Sequence, residues 1–244
     1  MGTRSKYMVG TLIALASLVA SVGLGRTPSF SFTPHARRPK LSLMKSQPPN
    51  SINPFLSQNP TAQWLDGMMF DSLAQMRQGA LKPGLASRWK MLHGGQEWYF
   101  SINPHAKWWN GRPVTASDVV WSYQIKLQRF LSKNVALAAF QPQFRSSGKL
   151  TVEIHLNQPD PEFLRQFATS GPVSWVLPAF LLRTKTSAQL LKTPYLTKPV
   201  DMVGSGPYRL LRLSKRSAVL EANLHYFLGP PKVHEIAVKF GRAK

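Results

Sequence analysis

The stretch WWNGRPVTASDVVWS, residues 108–122, combines a turn with the start of a helix. Asn110 and Gly111 are typical of a tight turn, because both residues tolerate a positive φ angle. Thr115 and Asp118 are spaced as in a capping box, in which an Asp here replaces the usual Glu or Gln. The pattern predicts that a helix begins at Thr115.

Apolar and basic residues fall on different faces of this predicted helix, which we expect to continue to about Leu131. The residues that recur at helical spacing and should face a core are Val119, Tyr123, Leu127 and Phe130. The residues expected to form a solvated face, rather than a binding patch, are Lys126, Arg129 and Lys133.

The flanking sequence alternates between patterns of strands and patterns of helices. Residues 61–73 have the spacing of a core-facing helix, and residues 150–156 alternate strictly between apolar and polar side chains. Strands are predicted at 41–44, 89–92, 97–102, 208–213, 218–222 and 233–240, the second and third joined by a Gly-Gly turn. Hairpins mixed with single helices favour a mixed α/β (α+β) fold over a regular βαβ winding.

The composition is that of a globular but strongly basic protein. Hydrophobic residues make up 43% of the chain, whereas 31 Lys and Arg stand against 10 Asp and Glu, for a net charge of +21. Such an excess suits nucleic acid, an anionic envelope polymer or membrane surface, or an acidic exterior in which few carboxylates change protonation. The export signal described next favours the last two, so nucleic acid is the less favoured partner.

The N-terminus resembles a secretory signal. Arg4 and Lys6 precede an uncharged run, Tyr7–Gly25, and residues 1–25 are therefore predicted to be either a cleaved signal peptide or an uncleaved membrane anchor. Residues 26–39 are predicted to be a flexible basic linker. The chain has no cysteine, which excludes disulfides, thiolate chemistry and a lipid-modified cysteine. We therefore expect an extracytoplasmic protein that is not a lipoprotein.

No pattern in the sequence predicts catalysis. Gly204-Ser205-Gly206 lacks the spacing of a nucleophile elbow and the lysine of a phosphate-binding loop, so it is interpreted as a turn that enters a strand. The six histidines show no paired spacing of the kind that metal ligands have. The sequence therefore predicts no enzyme, no catalytic residue, no metal site and no cofactor.

Residues 108–122 resemble the W-x-D/N-G-x-P-V-T-A-x-D-V-x-x-S signature of family 5 of the extracytoplasmic solute-binding proteins, the oligopeptide-, dipeptide- and nickel-type proteins of ABC importers. Further blocks resemble that family in the same order: 51–54, 69–73, 81–89, 203–208 and 221–227. The residues that carry the signature, and for which we expect architectural roles, are Trp108, Asn110, Gly111, Pro113, Thr115, Asp118, Gly204, Gly206 and Tyr208.

The resemblance implies that residues 40–244 form a periplasmic-binding-protein-like class II lobe of the cluster C type, which lacks the second lobe of the family. Two departures are Asn103, where the family often has Arg, and His93-Gly94-Gly95 in place of an acidic turn. The resemblance places ligand contacts after the 51–54 block, and the residues predicted to make them are Gln58, Asn59 and Pro60.

The implied function is binding of peptides or similar small solutes for an ABC-type importer, by a truncated or partial binding protein. Its implied partners are the solute, an ABC permease and a second polypeptide that supplies the missing lobe. Two alternatives stay open at this point. One is a cationic surface protein that adheres to anionic polymers or nucleic acid. The other is a fragment with no function of its own.

Overall fold

A computed structural model describes residues 39–130, 139–168 and 173–241. The predicted export segment 1–25 lies outside the described residues, as do Lys133 and all of the predicted linker except Pro39. Within the three described ranges, no helix is both long and apolar enough to span a bilayer.

Within the part of the chain that the structure describes, ten strands form two four-stranded sheets and one separate hairpin. Sheet 1 has the order β1-β10-β9-β8, with β1 parallel to β10 and the other pairs antiparallel, and sheet 2 has the antiparallel order β4-β5-β7-β6. The strands are β1 Lys40–Lys45, β2 Ala74–Arg77, β3 Ala80–Pro83, β4 Ala86–Leu92, β5 Glu97–Ile102, β6 Gln143–Ser146, β7 Thr151–His155, β8 Tyr208–Leu213, β9 Ser217–Ala222 and β10 Glu235–Phe240. The predicted mixed α/β class is confirmed.

Helices connect these strands and pack on the sheets. They are α1 Pro60–Met69, α2 Ala116–Phe130, α3 Phe163–Ala168, α4 Ala179–Leu182, α5 Ser187–Leu190 and α6 Pro194–Thr197, with short 3-10 turns at His93–Gly95 and Pro199–Asp201. The prediction that the first helix continues to Leu73 is wrong. Phe70 is extended, with φ −127° and ψ 145°, and the Asp71 amide donates to the Ser205 hydroxyl, so the helix ends at Met69.

The predicted start of α2 is confirmed. The Thr115 amide donates to the Asp118 carboxylate at 3.0 Å, and the Asp118 amide donates to the Thr115 hydroxyl oxygen at 3.3 Å. Gly111 has a φ of +82°, as the turn before the helix requires. Two of the orphan groups at this helix end are therefore satisfied reciprocally.

Helix α2 lies between two hydrophobic cores. Val119, Tyr123 and Leu127 belong to the core beneath sheet 2, whereas Trp121 and Ile125 pack against the core beneath sheet 1. These two sets lie on opposite sides of a narrow stripe of the helix surface. The polar stripe, as we name it, consists of Asp118, Ser122 and Lys126.

The polar stripe binds the backbone of residues 175–179, which lead into α4 at Ala179 and belong to no sheet. Side chains spaced four residues apart on α2 contact every second residue of the segment: Asp118 accepts from the Ala179 amide at 3.1 Å, Ser122 accepts from the Leu177 amide at 2.9 Å, and Lys126 donates to the Trp175 carbonyl. Four residues of helix rise about 6 Å and two residues of extended chain about 6.6 Å, so the two spacings match.

The prediction that Lys126 lies on a solvated face is wrong, because its side chain is fully buried. Burial lowers the pKa of Lys126 to about 7, against the smaller opposing effect of the Asp66 carboxylate. Burial also raises the pKa of Asp66 to about 8, opposed by the Ser57 hydroxyl and by Lys126. The spacing of basic residues along the helix could not reveal that Lys126 donates to a backbone carbonyl that is distant in sequence.

Two glycines fix how closely the chain before β8 approaches α1. A Cβ atom added at Gly204 would overlap the Met69 carbonyl oxygen far inside van der Waals contact, and one at Gly206 would lie 2.5 Å from the Met68 carbonyl oxygen. The Gly206 amide donates to Met69 at 2.9 Å. Side chains at these positions would therefore force the end of α1 away from sheet 1.

Replacing Ser122 by Ala is expected to lower the free energy of unfolding by about 2 kcal/mol, because the Leu177 amide would be left buried and unpaired. Urea unfolding measures the change. The matched control is Ser117→Ala on the exposed side of the same helix, where we expect about 0.5 kcal/mol or less. Equal losses in the two variants would contradict the role assigned to the polar stripe.

The stability of the wild-type chain is expected to be lowest near neutral pH. The unfolded chain releases the Asp66 proton near pH 3.8 and the folded chain near 8, so stability falls as pH rises across that window. The unfolded chain keeps the Lys126 proton to about 10.5 and the folded chain to about 7, so stability rises again above pH 7.

Urea unfolding at several pH values tests this. From Asp66 we expect a loss on the order of 3 kcal/mol between about pH 5 and pH 7.5. Asp66→Asn makes the falling limb smaller and leaves the part that Asp71 contributes, because the pKa of Asp71 is raised to about 7 as well, whereas the exposed Glu162→Gln leaves the limb unchanged. A falling limb of wild-type size in Asp66→Asn would show that Asp66 does not contribute to it.

Candidate functional site

Thirteen of the described residues line a cleft beside helix α1, which we name the α1 cleft. Its volume is about 490 Å³, within the range of small-molecule sites. Residues of α1 and of the β2–β3 hairpin line it, together with Trp175, Pro207 and Tyr226. The cleft is therefore assembled from four separate parts of the chain.

The apolar lining is aromatic and sulfur-rich. It consists of Trp64, Met68, Phe70, Met76, Trp175 and the ring of Tyr226. A Cβ atom at Gly67 would lie only 3.2 Å from the Trp175 ring, so the glycine allows that indole to pack closely on α1. Because the polar stripe holds the backbone of Trp175, helix α2 positions this aromatic wall from behind.

A hydrogen-bonded chain of four polar side chains runs along the floor of the cleft. The Arg77 Nε donates to Gln75 at 2.9 Å, and the Gln75 amide donates to Asp71 Oδ1 at 3.0 Å. The Tyr226 hydroxyl donates to the same Asp71 oxygen at 2.7 Å. The exposed guanidinium at one end is thus connected to a buried carboxyl group at the other.

The protonation of this chain is set by burial. Burial raises the pKa of Asp71 to about 7, while hydrogen bonds from Tyr226 and Ser205 and the charge of Arg77 act in the opposite direction. Burial and the neighbouring Asp71 also raise the pKa of Tyr226 above its usual range, so this phenol stays protonated. Asp71 is therefore the member of the chain that changes charge near neutral pH.

Arg77 occupies a fixed place at the end of a tight hairpin. It pairs with Ala80 across a two-residue turn, in which Gln78 and Gly79 have φ angles of 53° and 76°. Two consecutive positive φ angles are the geometry of a type I′ turn, which matches the twist of the flanking strands. The hairpin holds the guanidinium at the edge of the cleft rather than on a long loop.

Of the residues predicted to contact ligand, only Pro60 lines the α1 cleft. Asn59 caps α1, because its side-chain oxygen accepts from the Ala62 amide at 2.8 Å, and its amide donates to Pro48. Gln58 is exposed, and its amide N–H donates to Asn50. The three predicted residues lie at the N-terminal end of α1, at one side of the cleft.

None of the nine signature residues lines the α1 cleft. Trp108 is buried in the core beneath sheet 2, Asn110 accepts from the Arg112 amide, and the Tyr208 hydroxyl donates to Val233. Gly204 accepts from the Trp109 amide at 2.9 Å. Their contacts hold turns and strand ends together.

Arg77, Gln75 and Tyr226 were missed from the sequence as site residues. The Gln78-Gly79 dipeptide between two short alternating runs could have indicated the hairpin. Nothing local could have placed Tyr226 beside Asp71, because 155 residues separate them. Among the described residues, no group of three or more His, Asp or Glu side chains is placed to hold a metal ion.

Comparison with known proteins identifies the family. The model of "Bacterial extracellular solute-binding proteins, family 5 Middle" matches residues 80–243. The periplasmic murein peptide-binding protein MppA of Escherichia coli is 28% identical over 233 residues, which cover 87% of this chain and 41% of MppA. The oligopeptide-binding protein AppA of Bacillus subtilis is 23% identical over 239 residues, which cover 95% of this chain and 43% of AppA.

Solved structures show the same fold. AppA from Bacillus subtilis in complex with a nonapeptide has a TM-score of 0.71 at 24% identity, covering 82% of this chain and 40% of AppA. The murein tripeptide binding protein MppA of Escherichia coli has a TM-score of 0.70 at 22% identity, covering 84% and 42%. The chain spans about two fifths of the length of these relatives. It belongs to family 5 of the bacterial extracellular solute-binding proteins.

Proposed function

We propose that this chain is the N-terminal lobe of an extracytoplasmic binding protein for peptides or similar small solutes, and that it serves an ABC-type importer. The observation that carries the proposal is the α1 cleft, a preformed cavity with aromatic walls and a polar floor, in a chain that belongs to this family. Relatives named for murein peptides, oligopeptides and D,D-dipeptides support this ligand class.

The α1 cleft would supply one wall of the ligand site. We propose that further polypeptide supplies the facing wall, since the relatives are more than twice as long as the matched region. The proposed partners are therefore the solute, an ABC permease and the polypeptide that carries the second lobe. Residues 1–25 would direct export or anchor the chain at the outer face of the membrane, and residues 26–39 would link them to the lobe.

The position of α1 suits peptide recognition. The mostly exposed residues Gln58, Asn59 and Pro60 stand at the N-terminal end of the helix, and Gln63 and Trp64 follow on its first turns at the cleft. A solute lying along the cleft would meet short polar groups at this end and indole rings further in. We propose Gln58, Asn59 and Pro60 as contacts at the cleft entrance.

Short apolar peptides are expected to change the tryptophan fluorescence of the chain, because Trp64 and Trp175 both line the cleft. Because the α1 cleft has only one wall and buries little of the ligand, dissociation constants on the order of 0.1–1 mM are expected. Trp64→Phe should remove much of the response. Trp89→Phe on strand β4, outside the cleft, is the matched control and should preserve it.

The absence of any fluorescence or calorimetric response up to several millimolar peptide would contradict the proposal. So would a response that Trp89→Phe abolishes and Trp64→Phe does not.

A further inference from the structure

The α1 cleft contains one charged lining residue, Arg77; the other described lining residues are apolar or neutral and polar. Asp71 lies close enough for the Arg77 charge to lower its pKa, but it is only 1% exposed, whereas Arg77 is exposed. A solute in the cleft therefore meets a cation and not the carboxylate behind it. The accessible electrostatic character of the site is positive.

The guanidinium has donors left for a ligand. Its Nε is engaged by Gln75, which orients the plane of the group. The structure gives the two terminal nitrogens no protein acceptor among the described residues. Paired N–H groups of this kind match the two oxygens of a carboxylate better than they match a hydroxyl or a carbonyl group.

The environment of Arg77 suits an anion that is attached to an apolar body. The indoles of Trp64 and Trp175 and the side chains of Met68 and Met76 belong to the same lining. Such surfaces favour apolar or aromatic groups through burial of area. A highly charged anion would find Arg77 as the one charged lining residue, with Lys45 over the Trp64 ring, and would lose hydration against the aromatic walls.

We propose that Arg77 anchors a free carboxylate of the bound solute, so that the α1 cleft selects peptide-like molecules with one accessible carboxylate and an apolar body. This inference rests on the proposed solute-binding function and names the chemistry of its ligand. The hairpin turn at Gln78 and Gly79 holds the anchor in position before the solute arrives, which limits the entropy lost on binding.

The buried carboxyl group makes the anchor sensitive to pH. When Asp71 is protonated, below about pH 7, the charge of Arg77 is uncompensated, and when Asp71 ionises the charge is partly neutralised. The other groups that face Asp71 are Tyr226, Gln75 and Ser205, none of which changes charge in this range. A carboxylate ligand is therefore held more tightly on the acid side of neutrality.

The test compares the tripeptide Ala-Phe-Ala as its free acid and as its C-terminal amide, titrated at pH 6 by calorimetry and tryptophan fluorescence. The wild-type chain is expected to bind the acid about tenfold more tightly than the amide. Arg77→Gln should abolish this preference and Arg77→Lys should keep part of it, because Lys retains the charge without the paired donors. The matched control Arg88→Gln, on the exposed face of β4, should bind both peptides as the wild type does.

Each outcome of this comparison has a defined meaning. Equal binding of acid and amide, or a preference that survives in Arg77→Gln, overturns the carboxylate anchor and leaves the solute-binding function standing. Failure of both peptides to bind overturns the proposed function and the anchor with it. Because Arg77 is exposed, thermal unfolding of Arg77→Gln should match the wild type, which separates lost binding from lost folding.

A second measurement leaves Arg77 unchanged. Raising the pH from 6 to 8 should weaken binding of the acid but not of the amide, and Asp71→Asn should bind the acid at pH 8 as the wild type does at pH 6. The asparagine keeps an oxygen for Gln75 and Tyr226 and removes the charge. A pH response of the same size for both peptides would count against the anchor.

Discussion

The arrangement of this lobe depends on the bonds between the polar stripe of α2 and the backbone of residues 175–179. That segment is buried and belongs to no sheet, and only the Val176 amide finds a backbone acceptor outside it among the described residues, the Asp71 carbonyl, so the other polar groups that the stripe contacts need side-chain partners. Its own side chains divide between the two cores, with Val176 beneath sheet 2 and Trp175 and Leu177 beneath sheet 1. Without the stripe, the boundary between the cores would carry unpaired backbone groups.

This constraint also explains why an ionisable group stands inside the lobe. A lysine side chain is long enough to reach the Trp175 carbonyl from the helix, and an apolar side chain of similar length could not satisfy it. The buried acids Asp66 and Asp71 both bind protons more tightly in the folded chain than in water. The interior is thus better matched to mildly acidic conditions than to neutral ones, in keeping with a sequence that has few carboxylates.

The sequence predicted correctly those features that depend on residues close to one another in the chain. The capping box of Thr115 and Asp118, the strict alternation that became β7 and the Gly-Gly turn before β5 each involve neighbours within a few residues. The end of α1 was predicted wrongly, because it is set by the backbone near Gly204, more than 130 residues later in the chain. The burial of Lys126 and the residues of the α1 cleft were not predicted for the same reason, because the groups that they contact are distant in sequence.

A cleft with one wall can discriminate between ligands by their charge, but it binds them weakly. The Arg77 guanidinium is exposed, so water screens its attraction for a carboxylate and competes for its donors. A facing lobe that closed over the same site would exclude that water and lower the local dielectric, which strengthens every ionic contact within it. The gain in affinity on closure would be largest for ligands whose carboxylate Arg77 already orients, and smallest for ligands held by aromatic contact alone. Closure would therefore raise selectivity for a carboxylate together with affinity, although Arg77 and its hairpin need not move.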